Sequence, residues 1–113
     1  MPHLDSWFIG YTQEISHAER ARTAGNEGMA RVCARRAAGI VIGEYLHRSG
    51  LPHLDSSAYQ RLKLLETIPG LNSQTKQVVG HFLLSVDKNH SLPAHIDLLS
   101  EAQWLARELM GTE

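Results

Sequence analysis

Apolar residues recur at spacings of three and four along most of the chain, the period of a helix with one buried face, and no stretch shows the alternation of a half-buried strand. In the first segment Leu4, Trp7, Phe8, Tyr11, Ile15 and Ala18 form one stripe that Asp5 or Ser6 can cap and that fades at Ala24-Gly25, predicting an amphipathic helix of roughly 20 residues. The second starts after Asn26, runs to about Arg48 and is stopped by Ser49-Gly50-Leu51-Pro52; its middle, AAGIVIG, is apolar nearly all round, as in the central helix of a bundle. Gly39 and Gly43 lower its helix propensity but leave a flat strip where another helix can approach closely. A third, short helix opens at Ser57, with Gln60 placed to complete a capping box, and carries Ala58, Leu62, Leu65 and Ile68 before Pro69-Gly70. Ser73 is the expected cap of a fourth with Val78, Val79, Phe82, Leu83 and Val86 on its stripe, followed by a polar, proline-containing loop from Asp87 to His95. The fifth runs from about Ile96 to Met110, with Leu98, Ala102, Leu105 and Leu109 on one line and Trp104 off it. With no internal repeat or linker, the pattern predicts one all-α domain over residues 1–113, an up-and-down antiparallel bundle of four to five helices.

One residue stands out against this pattern. Around Arg36, at helical spacings of three, four and seven, lie Met29, Val32, Cys33, Gly39, Ile40 and Gly43, so its guanidinium is expected in apolar surroundings. Three fates are open to it. It can form a buried ion pair with Glu14, Asp87, Asp97 or Glu101, since an unpaired buried charge costs about 3 to 5 kcal/mol. It can meet a phosphate or nucleotide in the bundle cleft together with Arg35, with His90 nearby. Its long stem can also carry the charge past its neighbours to solvent.

The 113 residues with 42% apolar content suit a single core that needs neither disulfide nor metal. A net charge of −1 excludes a strongly basic nucleic-acid wrapper or a polybasic membrane binder. The balance hides an asymmetry: residues 20–48 hold six arginines against Glu27 and Glu44, whereas residues 89–113 hold Arg107 against Asp97, Glu101, Glu108 and Glu113. Complementary helix surfaces, within the bundle or across a dimer, explain this, and an anion-binding face is the sharper alternative. Cys33, the single cysteine, has no disulfide partner and sits among apolar residues, as expected of a core thiol in a reducing cytoplasm. The start MPHLDSWFIG lacks a signal-peptide layout, and the run Ala37 to Gly43 is too short to span a bilayer. Seven histidines do not make a metal site: Asp87 with His90 and His90 with His95 are the closest pairs, and neither has the spacing that fixes ligands on one face. Gly25-Asn-Glu-Gly28 lacks the lysine of a phosphate loop, and Glu27 disfavours an anion at the helix it opens. No metal and no cofactor is expected.

In order and character these segments resemble the small prokaryotic HEPN domain. The resemblance covers nearly the whole chain and is carried by an aromatic and acidic first helix (WFIGYTQEISHAERA), an arginine- and alanine-rich second helix (MARVCARRAAGIVIGEYL) with small residues Ala34, Ala37, Ala38 and Gly39 at its centre, a short helix, and Leu92-Pro93 leading into an acidic, leucine-rich last helix (HIDLLSEAQWLARELM). It implies a bundle, often dimeric, that binds nucleotide or RNA or pairs with a small nucleotidyltransferase. Catalytic members carry an arginine followed a few residues later by a histidine, and the pair cleaves RNA. The only such spacing here is Arg48-Ser-Gly-Leu-Pro-His53, after the second helix; where the family places the motif the chain reads Ser85-Val-Asp-Lys-Asn-His90, without an arginine. His90 alone cannot both take the 2′-hydroxyl proton and stabilise the phosphorane charge.

The expectation is therefore a non-catalytic binding or assembly module with Arg35, Arg36 and His90 as ligand contacts. Its ligand is a nucleotide, RNA or a nucleotidyltransferase partner. The competing readings are a toxin-class ribonuclease using Arg48 and His53 or a noncanonical His90 site, and a purely structural dimerisation domain. Apolar side chains off the main stripes, Trp104 and Leu84, and the flank of the second helix at Val41 and Tyr45 predict a homodimer interface.

Overall fold

Residues 6–51, 57–85, 93 and 95–111 are described by a computed structural model. Over them the helical periodicities become five helices: α1 (Ser6–Thr23), α2 (Glu27–Arg48), α3 (Ala58–Glu66), α4 (Ser73–Leu84) and α5 (Leu98–Met110), with no strand among the described residues. The turn between α1 and α2 is only Ala24, Gly25 and Asn26, and Gly25 takes the left-handed conformation (φ 83°) that a side chain would strain. So tight a turn forces α2 back along α1.

Cross-helix bonds set the remaining directions. Asn72 at the start of α4 donates to Glu108 near the end of α5 (3.0 Å), while His81 near the end of α4 pairs with Glu101 near the start of α5 (2.8 Å), so those two helices are antiparallel. Arg22 near the end of α1 reaches Asp97 at the start of α5, and Arg107 near the end of α5 acts on the Tyr11 hydroxyl in the first half of α1, so α1 and α5 also oppose one another. The four long helices thus alternate in direction along the chain, with short α3 between the second and third of them. α2 lies at the centre, packed by α1, α3 and α5. Its Ala34, Ala37, Ala38, Val41, Ile42 and Leu46 are wholly buried, together with Leu62 and Leu65 of α3, Val79 and Phe82 of α4, and Ala102 and Leu105 of α5.

Local chemistry fixes the helix starts. Ser57 and Gln60 form the expected capping box: the Gln60 amide donates to Ser57 Oγ (3.1 Å) and the Ser57 amide to Gln60 Oε1 (2.9 Å). The cap of α4 is Asn72 rather than Ser73, which is the first helical residue; Asn72 Oδ1 accepts from the Thr75 amide at 2.7 Å. Asparagine and serine cap about equally well, so residue preference alone does not favour Ser73 over Asn72. Asp97 caps α5, accepting from the amides of Leu99 and Ser100, which starts that helix two residues after Ile96.

The same Asp97 takes a bidentate contact from Arg22, whose Nη2 also reaches Glu27 at 2.7 Å. One guanidinium therefore ties the end of α1 to the starts of α2 and α5. Its hydrogen bonds hold the Glu27 carboxyl below its ordinary range. Partial burial pushes Asp97 up, but the bonds from Arg22 and Ser100 outweigh it and the net shift is downward. The arginine-rich stretch and the acidic end of the chain do meet within the bundle, at this point.

Candidate functional site

Arg36 is not buried. It is exposed on α2, and among the described residues no carboxylate lies within ion-pair distance of it. Of its expected partners, Asp97 is held by Arg22, Glu101 by His81, Glu14 turns toward Cys33, and Asp87 lies outside the described residues. The correction has a physical reason. A helix that is apolar nearly all round carries no direction in its pattern, and the buried face of α2 is set by its smallest residues, Ala34, Ala37 and Ala38, which let neighbours approach. The larger apolar residues near Arg36 are the less covered ones: Met29 is 45% exposed and Val32 and Ile40 are half-buried.

Arg35 faces elsewhere. It is half-buried and donates from Nη1 to Ser85 Oγ (3.2 Å) at the end of α4, and burial first, then the charge of Arg36, lowers its pKa. Arg35 does not line the cleft that Arg36 lines.

What Arg36 joins instead is a groove between α1 and α3, floored by the glycine strip of α2. The strip is used as its spacing suggests. A Cβ on Gly39 would stand 2.7 Å from the Ala58 Cβ and 3.0 Å from its Cα, so the start of α3 packs directly on this glycine. One turn on, the guanidinium of Arg61 lies on Gly43, where a Cβ would meet Nη1 at 2.5 Å and Cζ at 2.7 Å. From there Arg61 Nη1 donates to the Gly39 carbonyl (3.0 Å), and its Nε is buried with no acceptor.

Arg61 divides the groove into two adjoining clefts. The larger, about 400 Å3, is lined by Ser6, Trp7, Gly10, Gly43, Glu44 and His47 together with Ile40 and Arg61. The smaller, about 240 Å3, is lined by Glu14, Arg36, Gly39, Ile40, Ala58 and Arg61. Glu14 Oε1 is buried without a hydrogen-bond donor. Beneath this wall sits Cys33, buried, its thiol pushed up by burial and by the Glu14 carboxylate while Arg36 acts in the opposite sense. Burial and a raised pKa both oppose formation of the thiolate, the nucleophilic form. Comparison of the chain with known protein families, with curated proteins and with solved structures gave no match. The function is therefore argued from the groove itself.

The other expected residues fall outside it or fill other roles. Arg48 pairs with Glu44 through Nε at 2.9 Å and lies over the Trp7 ring, 6.0 Å from its centroid; His53 and His90 lie outside the described residues. Val41 is fully buried in its own chain, so it offers no surface to a second copy. Trp104 and Tyr45 are half-buried against the core of their own chain, and Leu84 is half-buried. No group of three or more potential metal ligands gathers among the described residues, and no described helix is long and apolar enough to cross a membrane.

Arg61 is the residue that sequence reasoning missed. Its signal is faint: it lies three residues after Ala58 on the helix that follows the glycine strip, and only the crossing of α3 over α2 places those two side chains on Gly39 and Gly43.

Proposed function

We propose that the protein is a non-catalytic binding module, of the HEPN-like kind its sequence resembles, that takes an oxyanion-bearing ligand in the groove between α1 and α3. The observation that carries this reading is the presence of Arg36 and Arg61 on one open cleft, neither within ion-pair distance of a carboxylate among the described residues. This fold pairs its structural arginine: Arg22 is held by two carboxylates. Arg36 has no such role, and Arg61 is anchored by one nitrogen only. Two guanidinium groups on one cleft, one of them anchored, are a recognition element for carboxylate or phosphate. Trp7, already engaged by Arg48, forms part of the wall of the adjoining cleft.

The test is a titration followed by tryptophan emission and calorimetry, with inorganic phosphate, AMP, a short single-stranded RNA and the common α-amino acids as probes. At least one should bind saturably, Arg61→Gln and Arg36→Ala should each weaken it tenfold or more, and the RNA should remain intact. The absence of any arginine-dependent binding across the panel overturns the reading, and so does RNA cleavage, which would restore the ribonuclease alternative.

A further inference from the structure

The smaller cleft holds more than positive charge. Arg61 is oriented before any ligand arrives: Gly43 leaves room for its guanidinium to lie flat on α2, and Nη1 is tied to the Gly39 carbonyl. The Nε, on the side edge that can grip a carboxylate with two parallel hydrogen bonds, is buried and has no acceptor among the described residues. Arg36 stands on the same cleft, exposed and without an ion-pair partner among the described residues.

Glu14 brings the opposite sign to the same cleft. Its side chain is 22% exposed, its buried Oε1 has no hydrogen-bond donor among the described residues, and the His17 ring nitrogen Nδ1 is 4.0 Å away. Neither Arg36 nor Arg61 comes within ion-pair distance of it, although all three line one space. A cleft that separates two cations from one anion, rather than collapsing them into a salt bridge, matches a ligand that itself carries both signs. A phosphate dianion set between the arginines would have Glu14 facing it, and like charges at close range oppose binding.

Size and lining narrow the class. The cleft of about 240 Å3 is smaller than the roughly 300 to 1,000 Å3 of sites that enclose drug-sized ligands. Beyond its charged groups it offers Ile40, Ala58 and the backbone of Gly39, a short apolar wall. Resting on the reading of the groove as an oxyanion site, we infer that its ligand is a small amine-bearing carboxylate of α-amino-acid size. Its carboxylate lies on Arg61 and Arg36, its ammonium on Glu14, and an apolar side chain runs against Ile40 and Ala58.

The experiment uses the intact chain and calorimetry with matched probes: leucine, its deaminated analogue 4-methylpentanoate, its decarboxylated analogue isopentylamine, inorganic phosphate and AMP, with the other common α-amino acids following leucine. One or more α-amino acids should bind saturably, and removal of the amine should weaken binding at least tenfold. Glu14→Gln should weaken the amino acid at least tenfold while leaving the amine-free acid unchanged; Arg61→Gln should weaken both. Circular dichroism and urea denaturation confirm that each variant is folded, and Glu14→Asp, which keeps the charge, should retain part of the affinity. Equal binding of leucine and 4-methylpentanoate, or indifference to Glu14→Gln, overturns the inference. Phosphate or AMP binding through Arg61 with no amino acid bound overturns it while leaving the oxyanion site standing, and no binding by any probe removes both.

Discussion

The two sides of α2 are built on different principles. Toward the core the helix presents Ala34, Ala37, Ala38, Val41 and Ile42, fully covered, and the cation at its start, Arg22, is matched by two carboxylates. Toward α3 it presents glycines, the neighbour approaches to backbone contact, and polar groups are left over: the Nε of Arg61, one oxygen of Glu14 and the charge of Arg36. A bundle that needed only stability would match its charges on both sides. The proposed binding site lies on the side where polar groups remain unmatched, because buried polar groups without partners cost free energy that a ligand can return.

The largest effect that tests this comparison is on the closed side. Phe82, wholly buried, leaves a cavity on Phe82→Ala, and urea denaturation should show a loss of about 3 to 5 kcal/mol. On the strip, the sign of a glycine substitution separates close approach from mere flexibility. Gly39→Ala drives a methyl group into Ala58, a crowding cost of about 1 to 3 kcal/mol, against a propensity gain of only about 1 kcal/mol; the net should be a loss. Gly80 in α4 has nothing within reach of an added Cβ, so Gly80→Ala should stabilise by about 0.5 to 1 kcal/mol. If both glycines respond alike, the strip has no special packing role.

A smaller effect probes the matched charges by pH. Glu27 and Asp97 have folded pKa values below their ordinary ones. The stability they contribute is therefore fully present above the unfolded carboxylate range and is lost as pH falls through the lower folded values. The thermal midpoint should drop between about pH 5 and about pH 2. Asp97→Asn keeps an oxygen for the α5 cap but removes the charge, and should flatten that drop; an unchanged profile would show that the Arg22 contacts do not contribute.

How much of this was legible in the chain follows from the same contrast. Helices with one apolar stripe declared themselves: α1 and α3 fall close to their predicted positions, and the Ser57–Gln60 capping box forms as its spacing requires. The meeting of the arginine-rich stretch with the acidic end was foreshadowed by charge alone and is realised by Arg22 and Asp97. The phase of α2 was not legible, because residues apolar on all sides give no vector, and Arg36 was assigned to the interior by neighbours such as Met29 that are themselves exposed. Arg61 was invisible for another reason. Its position depends on which helix crosses the strip and in what register, a long-range fact that no local spacing encodes.

Arg36 is the point at which the structural and binding readings part most cleanly, and one paired measurement on Arg36→Ala decides between them. Urea denaturation of the variant should give a stability within about 0.5 kcal/mol of the parent, as for an exposed side chain without partners, while its affinity for the ligand of the α1–α3 groove falls at least tenfold. A loss of several kcal/mol with affinity unchanged would contradict the account and return Arg36 to the role of a structural ion pair.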